Sequence, residues 1–213
     1  MAVKKQFRIV FALVVLISVI ELVNLLSNRS LNYYGLIPRQ PNGLLGILSA
    51  PWLHGSLLHY FSNIVPFALF SFLLLQHGAK RYIQVTLFCV FISGILVWVF
   101  ARSAIHIGAS GLIYVLVSFT FFKGVFAKYY RLIALSLVVV FLYGSMIWHI
   151  IPIEEGVSWE GHLSGLITGL LFAVFFRKEI AKPKKYIWEQ ENYNEDEDPF
   201  LKHFDEEGNF IEE

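Results

Sequence analysis

A serine and a histidine stand at the starts of two strongly apolar segments of this sequence. Ser110 belongs to the motif GASG, and His162 follows a glycine about fifty residues later. A serine hydroxyl attacks a carbonyl carbon when a base takes its proton, and imidazole is the usual base near neutral pH. Because polar groups are costly to bury in hydrocarbon, such residues in an apolar segment indicate a functional site. The pair therefore predicts a nucleophile and its base.

The segments that carry these residues are apolar enough to cross a membrane. Hydrophobic residues make up 56% of the 213-residue chain, charged residues make up 15%, and the mean hydropathy is +0.61. Six apolar runs approach the ~20 residues that cross ~30 Å of hydrocarbon as a helix. This composition excludes an ordinary soluble enzyme and predicts an all-α membrane protein with six transmembrane helices. The runs are Ile9–Leu26, Leu57–Leu75, Tyr82–Phe100, Gly111–Phe126, Leu132–Ile150 and Gly161–Phe176.

The distribution of Lys and Arg predicts the orientation of these runs. Thirteen of the 17 basic residues lie in the terminal flanks and loops of one side, and three lie in the alternate loops. Because short cytoplasmic loops hold the positive charge, both termini are predicted to be cytoplasmic. The first run also resembles a signal peptide, since Lys4, Lys5 and Arg8 precede it. Its apolar length and the lack of an A-x-A site favour a retained span.

The sequence divides into a helical membrane domain, residues 1–176, and an acidic tail, residues 177–213. Within the domain, residues 27–53 form an external loop whose prolines break helices and whose leucines predict a position in the interfacial layer. Twelve of the 16 acidic residues lie from Glu179 onward, which favours a flexible tail. The basic run Lys182–Lys185 fits either a contact with anionic lipid or a plain flank of the last span.

Three polar residues on three different runs are predicted to lie at one depth. Each precedes a basic or polar residue at the cytoplasmic end of its run by thirteen to fifteen residues. At ~1.5 Å of rise per residue, each side chain lies roughly 20 Å above that end. A shared depth argues for one site rather than for scattered polar residues. The intervals run from Ser110 to Lys123, from His162 to Arg177 and from Asn63 to Gln76.

The second run carries the pattern HGSLLHYFSN, from His54 to Asn63. His59 and Asn63 are four residues apart and therefore project from one helical face. Three roles are open to them: oxyanion donors, metal ligands, or hydrogen bonds between helices. The lack of an HExxH motif and the scarcity of acids within the runs weigh against a metal, and we expect no metal and no cofactor. The depth shared with Ser110 and His162 favours a role in the site.

The acids near His162 favour a dyad over a triad. Glu160 lies two residues away and can in principle orient the imidazole, although we expect it to lie nearer the water. We therefore predict a Ser110–His162 dyad that packing orients. Tyr114 follows Ser110 by one helical turn on the same face, so it is placed to stack on the imidazole or to hydrogen-bond with it.

Two glycines flank the predicted nucleophile. Gly108 and Gly111 allow the backbone to approach closely and expose amide hydrogens at a helix N-terminus, where a developing oxyanion is favoured. Elsewhere, His106 and His149 are interpreted as interfacial histidines, with a second role near the site left open. Glu21 in the first run can snorkel, pair with a neighbouring helix, or stay protonated.

Three motifs together resemble the rhomboid intramembrane serine proteases. They are the His-x4-His-x3-Asn pattern of the second run, GASG followed by Tyr114, and GHLSGLxxG in the last run. The resemblance covers about residues 52–176, with the motifs in the family's order on the corresponding runs. It implies Ser110 as the nucleophile and His162 as the general base. It also implies an oxyanion hole formed by His59, Asn63 and the backbone amide of Ser110.

The same resemblance implies supporting residues and a reaction. His54 would support the site from the first loop, and Gly165 and Gly169 would pack the last helix against the helix that carries Ser110. The implied enzyme is a serine endopeptidase of the bacterial inner membrane that cleaves transmembrane segments of membrane-protein substrates near the external face. We expect the lipid bilayer as a partner, and no nucleic acid. One alternative is a catalytically silent relative that binds and escorts membrane proteins, and a less favoured one is a channel or transporter.

Overall fold

Helices account for the architecture of this chain. The structure, a computed structural model, describes residues 2–75, 79–142, 148–177, 186–205 and 207–211. Six long helices occur within these ranges, so the prediction of an all-α membrane fold is confirmed. The described residues between them form turns, short 3-10 helices and one four-residue helix. The long helices are α1 (Ala2–Leu26), α2 (Leu57–Leu75), α3 (Ala79–Phe100), α4 (Ser110–Ala127), α5 (Tyr130–Leu142) and α6 (Trp159–Phe175).

The fifth predicted run differs from the observed helix. The sequence predicts one apolar span over Leu132–Ile150, whereas Trp148–Ile150 form a 3-10 helix. The prediction of α-helix up to Ile150 is therefore wrong, because the N–H of Ile151 bonds to the carbonyl oxygen of Trp148 three residues earlier and Pro152 has no N–H with which to continue a helix. Gln76 and the basic run Lys182–Lys185 lie outside the described residues.

The external loop is tied to the connection between α3 and α4. Leu36 and His106 form an isolated antiparallel bridge, with N–H···O distances of 3.0 and 2.8 Å. Nearby, Nη1 of Arg39 donates to the carbonyl oxygens of Val99 at 3.1 Å and Ala101 at 2.7 Å. These bonds fix the position of the segment that leads to Ser110. The loop exposes apolar side chains, among them Leu44, Leu45 and Leu48.

Helix α4 lies at the centre of the helical unit. Every side chain from Leu112 to Thr120 is buried, whereas α1 and α3 expose large apolar side chains such as Phe7 and Leu87. Such outward apolar surface suits lipid rather than water. Among the residues that the structure describes, three helical stretches are long and apolar enough to cross a membrane, and the apolar stretches in α2 and α6 are shorter. The three are Gln6–Leu26, Tyr82–Phe100 and Ser110–Ala127.

Glycines bring α6 against α4. A Cβ at Gly165 would overlap the carbonyl oxygen of Gly111 and the side chain of Tyr114, and a Cβ at Gly169 would meet the backbone and side chains of α4 one turn further on. Ser118 adds a hydrogen bond across the contact, from Oγ to the carbonyl oxygen of Leu166 at 2.7 Å. This close approach sets the distance between the helix that carries Ser110 and the helix that carries His162.

The tail forms a second compact unit, Ala181–Glu213. Its described part contains three short 3-10 helices, and the rings of Tyr186 and Trp188 stack with centroids 4.6 Å apart. The hydroxyl of Tyr193 donates to Asp198 at 2.6 Å. The unit begins four residues after the boundary predicted at residue 177.

Candidate active site

Ser110 and His162 lie within hydrogen-bond distance at the ends of two adjacent helices. Ser110 is the first residue of α4, and His162 lies in the first turn of α6. Oγ of Ser110 and Nε2 of His162 are 2.8 Å apart. The structure therefore brings together the two residues that the depth argument placed in one layer.

The second ring nitrogen of His162 determines where the imidazole proton sits. Nδ1 lies 2.8 Å from the backbone carbonyl oxygen of His149. A carbonyl oxygen can only accept a hydrogen bond, so Nδ1 carries the proton of the neutral ring. The lone pair of Nε2 then faces the hydroxyl of Ser110, which donates to it. This tautomer is the one that a general base requires.

Tyr114 holds the plane of the His162 ring. The two ring centroids are 4.4 Å apart and the planes differ by 12°, which is a stacked arrangement. Tyr114 is buried, one turn after Ser110 on the same helix. Stacking restricts the rotation of the imidazole, which the hydrogen bond to His149 already fixes at one edge. Of the two contacts foreseen for Tyr114, the structure contains the stacked one.

His59 approaches the backbone just before the nucleophile. Gly108 has a φ of +117°, and a Cβ at this position would lie 2.6 Å from Nε2 of His59. Nδ1 of His59 accepts a long hydrogen bond from the N–H of Gly55 at 3.4 Å. The proton of a neutral His59 ring therefore sits on Nε2 and points toward Gly108. A glycine at position 108 is what allows this donor to come so close to Ser110.

Asn63 is buried one turn further along α2 and bonds to its own helix. Its Nδ2 donates to the carbonyl oxygen of His59 at 2.6 Å, and the residue is 4% exposed. In the part of the chain that the structure describes, no hydrogen bond joins the Asn63 side chain to Ser110 or His162. The amide carries a second Nδ2 hydrogen that this bond does not use.

Glu160 does not orient His162. The expectation that it lies near the water is wrong, because its side chain is 2% exposed and bonded to Arg102. Oε1 accepts from the backbone N–H of Arg102 at 3.1 Å, and Oε2 accepts from its Nη1 at 2.9 Å. Nη2 of Arg102 also donates to the carbonyl oxygen of Val157 at 2.7 Å. The acid therefore joins the connection after α3 to the start of α6.

His106 reinforces the same junction and is not a simple interfacial histidine. Its Nε2 lies 3.0 Å from the carbonyl oxygen of Arg102, so Nε2 carries the proton and Nδ1 accepts. The hydroxyl of Ser158 donates to that Nδ1 at 2.6 Å and accepts from the N–H of Gly161 as the N-cap of α6. Burial lowers the pKa of His106, which keeps the ring neutral and able to accept.

A cavity of about 60 Å³ adjoins the serine. Its lining includes Ser110, His106 and Ser158 together with apolar residues of the external loop and α3. A space of this size and polarity holds a few water molecules. No group of three or more His, Cys, Asp or Glu that could hold a metal ion occurs among the residues that the structure describes.

Three groups around the dyad were not predicted from the sequence. Ser158 could have been found as a helix N-cap, since a serine precedes the apolar run of α6 by a few residues. Arg102 could have been noted as a cation in a loop predicted to be external, but nothing near it in the sequence specifies Glu160 as its partner. The carbonyl of His149 gives no signal, because every residue has one.

Comparison with known proteins agrees with these motifs. The rhomboid domain family model matches residues 41–179. Uncharacterized proteins from Mycobacterium tuberculosis and Mycobacterium bovis are each 32% identical over 173 residues, which covers 77% of this chain and 72% of the relative. One from Mycobacterium leprae is 32% identical over 167 residues, which covers 74% of this chain and 66% of the relative. The chain therefore belongs to the rhomboid family, as an integral membrane protein with a rhomboid domain over residues 41–179.

Proposed function

We propose that this protein is an intramembrane serine endopeptidase that uses Ser110 as nucleophile and His162 as general base. The observation that carries the proposal is the chain of two hydrogen bonds from Ser110 through His162 to the carbonyl of His149, each 2.8 Å long. It gives the imidazole a free lone pair directed at the serine hydroxyl, which is the arrangement needed for nucleophilic catalysis.

The reaction follows from these positions. Oγ of Ser110 attacks the carbonyl carbon of the scissile peptide bond while its proton passes to Nε2 of His162. The tetrahedral intermediate collapses as Nε2 returns that proton to the leaving amine, which leaves an ester on Ser110. Nε2 then takes a proton from water, the hydroxide attacks the ester, and the acid product leaves as Oγ regains a proton. The cavity beside Ser110 can supply that water.

Three donors are proposed for the oxyanion. The backbone N–H of Ser110 lies at the first position of α4, where helical amides have no acceptor within the helix. Nε2 of His59 lies against Gly108, and Asn63 retains a second amide hydrogen. Donors of this kind stabilise the charge that develops on the carbonyl oxygen, and removal of one costs about 10²-fold in kcat in comparable sites.

The substrates we propose are single-pass membrane proteins cleaved near the external face, with small residues before the scissile bond and helix-breaking residues after it. Both termini would be cytoplasmic, since the basic residues concentrate on that side. The mycobacterial relatives fit a location in the plasma membrane of a bacterium. Access would be lateral, past α5 and residues 152–159, where Ile153 is exposed.

A reaction that does not depend on the natural substrate tests the nucleophile. A fluorophosphonate probe phosphonylates an activated serine with loss of fluoride, so the purified wild-type protein should be labelled on Ser110. Ser110→Ala and His162→Ala should abolish both labelling and cleavage of a reconstituted single-pass substrate. The matched controls are Ser136→Ala, since that hydroxyl bonds to its own helix, and His203→Ala in the tail, and both should keep full activity.

Two results would overturn the proposal. Undiminished labelling and cleavage in Ser110→Ala or His162→Ala would remove the dyad. Absence of labelling and cleavage in folded wild-type protein would instead favour a catalytically silent rhomboid protein that binds membrane proteins. Asn63→Ala should lower cleavage with little effect on thermal stability, and an unchanged rate would remove Asn63 from the oxyanion hole.

A further inference from the structure

A cluster of polar side chains lies at the external end of α1, before the stretch that matches the rhomboid domain. Glu21 and Asn24 belong to the last two turns of α1, and Arg29 and Asn32 follow it. Glu21 is 3% exposed and Asn24 is fully buried. Burial of a carboxylate in a membrane protein is costly unless a cation and hydrogen bonds compensate it. The family match begins at residue 41, so no part of it accounts for this cluster.

Arg29 supplies both the cation and a link to the site. Its Nη1 donates to Oε1 of Glu21 at 2.9 Å and to the backbone carbonyl oxygen of His54 at 2.6 Å. Glu21 therefore holds the guanidinium in the place where it reaches His54. Burial, together with the nearby His59 and Arg29, lowers the pKa of His54 to about 3, so its imidazole is neutral. Arg29 is therefore the counter-charge of Glu21.

Three donors converge on the single carbonyl oxygen of His54. Besides Arg29, the Nδ2 atoms of Asn24 and Asn32 donate to it, each at 3.3 Å. Nδ2 of Asn24 also donates to Oδ1 of Asn32 at 2.9 Å, which ties the two amides together. A carbonyl oxygen has two lone pairs, so the three donors share them, and Arg29 makes the shortest of the three bonds. The side chain of His54 is buried as well, with Nδ1 3.7 Å from Oε2 of Glu21.

The segment held in this way leads directly to the proposed oxyanion donor. Gly55 follows His54, and its N–H is the donor that keeps Nδ1 of His59 in the accepting state. The rings of His54 and His59 are 5.1 Å apart in an edge-to-face arrangement. Movement of His54 would therefore move the ring of His59 relative to Gly108 and Ser110.

We propose that Glu21 and Arg29 are positioning residues, which clamp the His54 carbonyl from α1 and thereby set the position of His59 Nε2 at the nucleophile. This inference rests on the proposed protease function. The clamp connects α1, a helix that contributes no residue to the reaction, to Nε2 of His59, the proposed donor to the oxyanion. It also accounts for a buried acid in the first membrane span.

The clamp predicts a particular kinetic signature. Oxyanion bonds form in the transition state, so Glu21→Gln and Arg29→Ala should lower kcat about tenfold and change KM little. Asn32→Ala removes one donor to the His54 carbonyl without uncovering a charge, and should lower kcat by about threefold in a folded protein. The matched control is Arg8→Ala, since this exposed arginine lies near the opposite end of α1 and should keep the wild-type kcat.

A double-mutant cycle separates positioning from general support of the fold. If the clamp acts through His59, Glu21→Gln should have little further effect in a His59→Ala background. If Glu21 only supported the fold, the losses in activity from Glu21→Gln and His59→Ala would be additive and would follow the fraction of folded protein. Additive losses, or a wild-type kcat in folded Glu21→Gln and Asn32→Ala, would overturn the proposal.

Hydrogen–deuterium exchange tests the clamp without any activity. The amides of Gly55–His59 should exchange faster in Glu21→Gln and Asn32→Ala than in the wild type, while those of α4 and α6 stay protected. Unchanged exchange at Gly55–His59 in both folded variants would overturn the clamp. Faster exchange in a chain whose wild type neither cleaves nor labels would retain the clamp and reject the protease function, so the two failures are distinguishable.

Discussion

The backbone carbonyl of His149 takes the hydrogen bond from Nδ1 of His162 that a carboxylate accepts in a Ser-His-Asp triad. The N···O distance is 2.8 Å, and the carbonyl fixes the tautomer without placing a negative charge beside the ring. The His149 side chain takes no part in this bond: its Nε2 lies 2.9 Å from Oε2 of Glu154, and its ring centroid lies 6.0 Å from that of His162. The main chain of the segment after α5 therefore orients the candidate base.

We expect no single carboxylate to be essential for the reaction. His149→Ala keeps the carbonyl and Glu154→Gln keeps the loop, so each should retain kcat within about threefold of the wild type. A triad acid, by comparison, contributes about 10⁴-fold to kcat when its replacement changes the tautomer. Cleavage of a reconstituted transmembrane substrate measures this. A loss near 10⁴-fold in Glu154→Gln would show that an acid does orient His162.

Several features of the site could be predicted from sequence because they depend on local spacing. Tyr114 stacks on His162 because one helical turn separates it from Ser110, and helical geometry places both on one face. Gly165 and Gly169 meet α4 as the family resemblance implies, and their spacing of four is consistent with this because it puts both on one side of α6. The six apolar runs gave the fold class for the same reason, since length and hydropathy are properties of one segment.

Other features could not be predicted because they join distant residues or use the main chain. The pair Arg102–Glu160 spans 58 residues, and nothing in either neighbourhood specifies the partner. The sequence is compatible with three environments for Glu21, and the structure pairs it with Arg29, eight residues later, where the chain has left the helix. The end of α5 was misplaced because hydropathy does not distinguish an α-helix from an apolar 3-10 turn.

Substitution of the packing glycines of α6 should destabilise the protein. Alanine is a better helix former than glycine by about 1 kcal/mol, so propensity alone predicts stabilisation. At Gly165 and Gly169, however, a Cβ would overlap α4, and overpacking costs about 1–3 kcal/mol. We therefore expect Gly165→Ala and Gly169→Ala to lower the thermal midpoint in detergent. Leu171→Ala, at a 55% exposed residue of the same helix, is the control, and equal midpoints in all three variants would contradict the packing argument.

Low pH should destabilise the protein, because two buried histidines are neutral in the folded state. Burial lowers the pKa of His106 below its ordinary value of 6.5, and that of His54 falls to about 3. Below about pH 6.5 these two histidines bind protons in the unfolded chain, while in the folded protein they stay neutral until the pH reaches their lowered pKa values. The free energy of unfolding should therefore fall as the pH drops below about 6.5.

One substitution isolates the contribution of His106 to this pH dependence. His106→Asn keeps an acceptor for Ser158 and removes the titration, so the thermal midpoint should depend less steeply on pH below about 6.5 than in the wild type. His203→Asn in the exposed part of the tail serves as the control and should keep the wild-type profile. An unchanged slope in His106→Asn would show that protonation of His106 does not couple to folding.

Removal of the Arg102 side chain should leave a buried carboxylate with one remaining partner. Glu160 is 2% exposed, and in Arg102→Ala it would keep only the backbone N–H of residue 102. Because Arg102 itself is partly exposed, water offsets some of the loss, and we expect a destabilisation of about 2 kcal/mol. Adding Glu160→Gln removes the uncompensated charge and should restore part of the thermal midpoint, as a double-mutant cycle in detergent would measure. Glu155→Gln, in the loop that precedes α6, is the control. A double variant no more stable than Arg102→Ala would mean that the charge on Glu160 does not cause the loss.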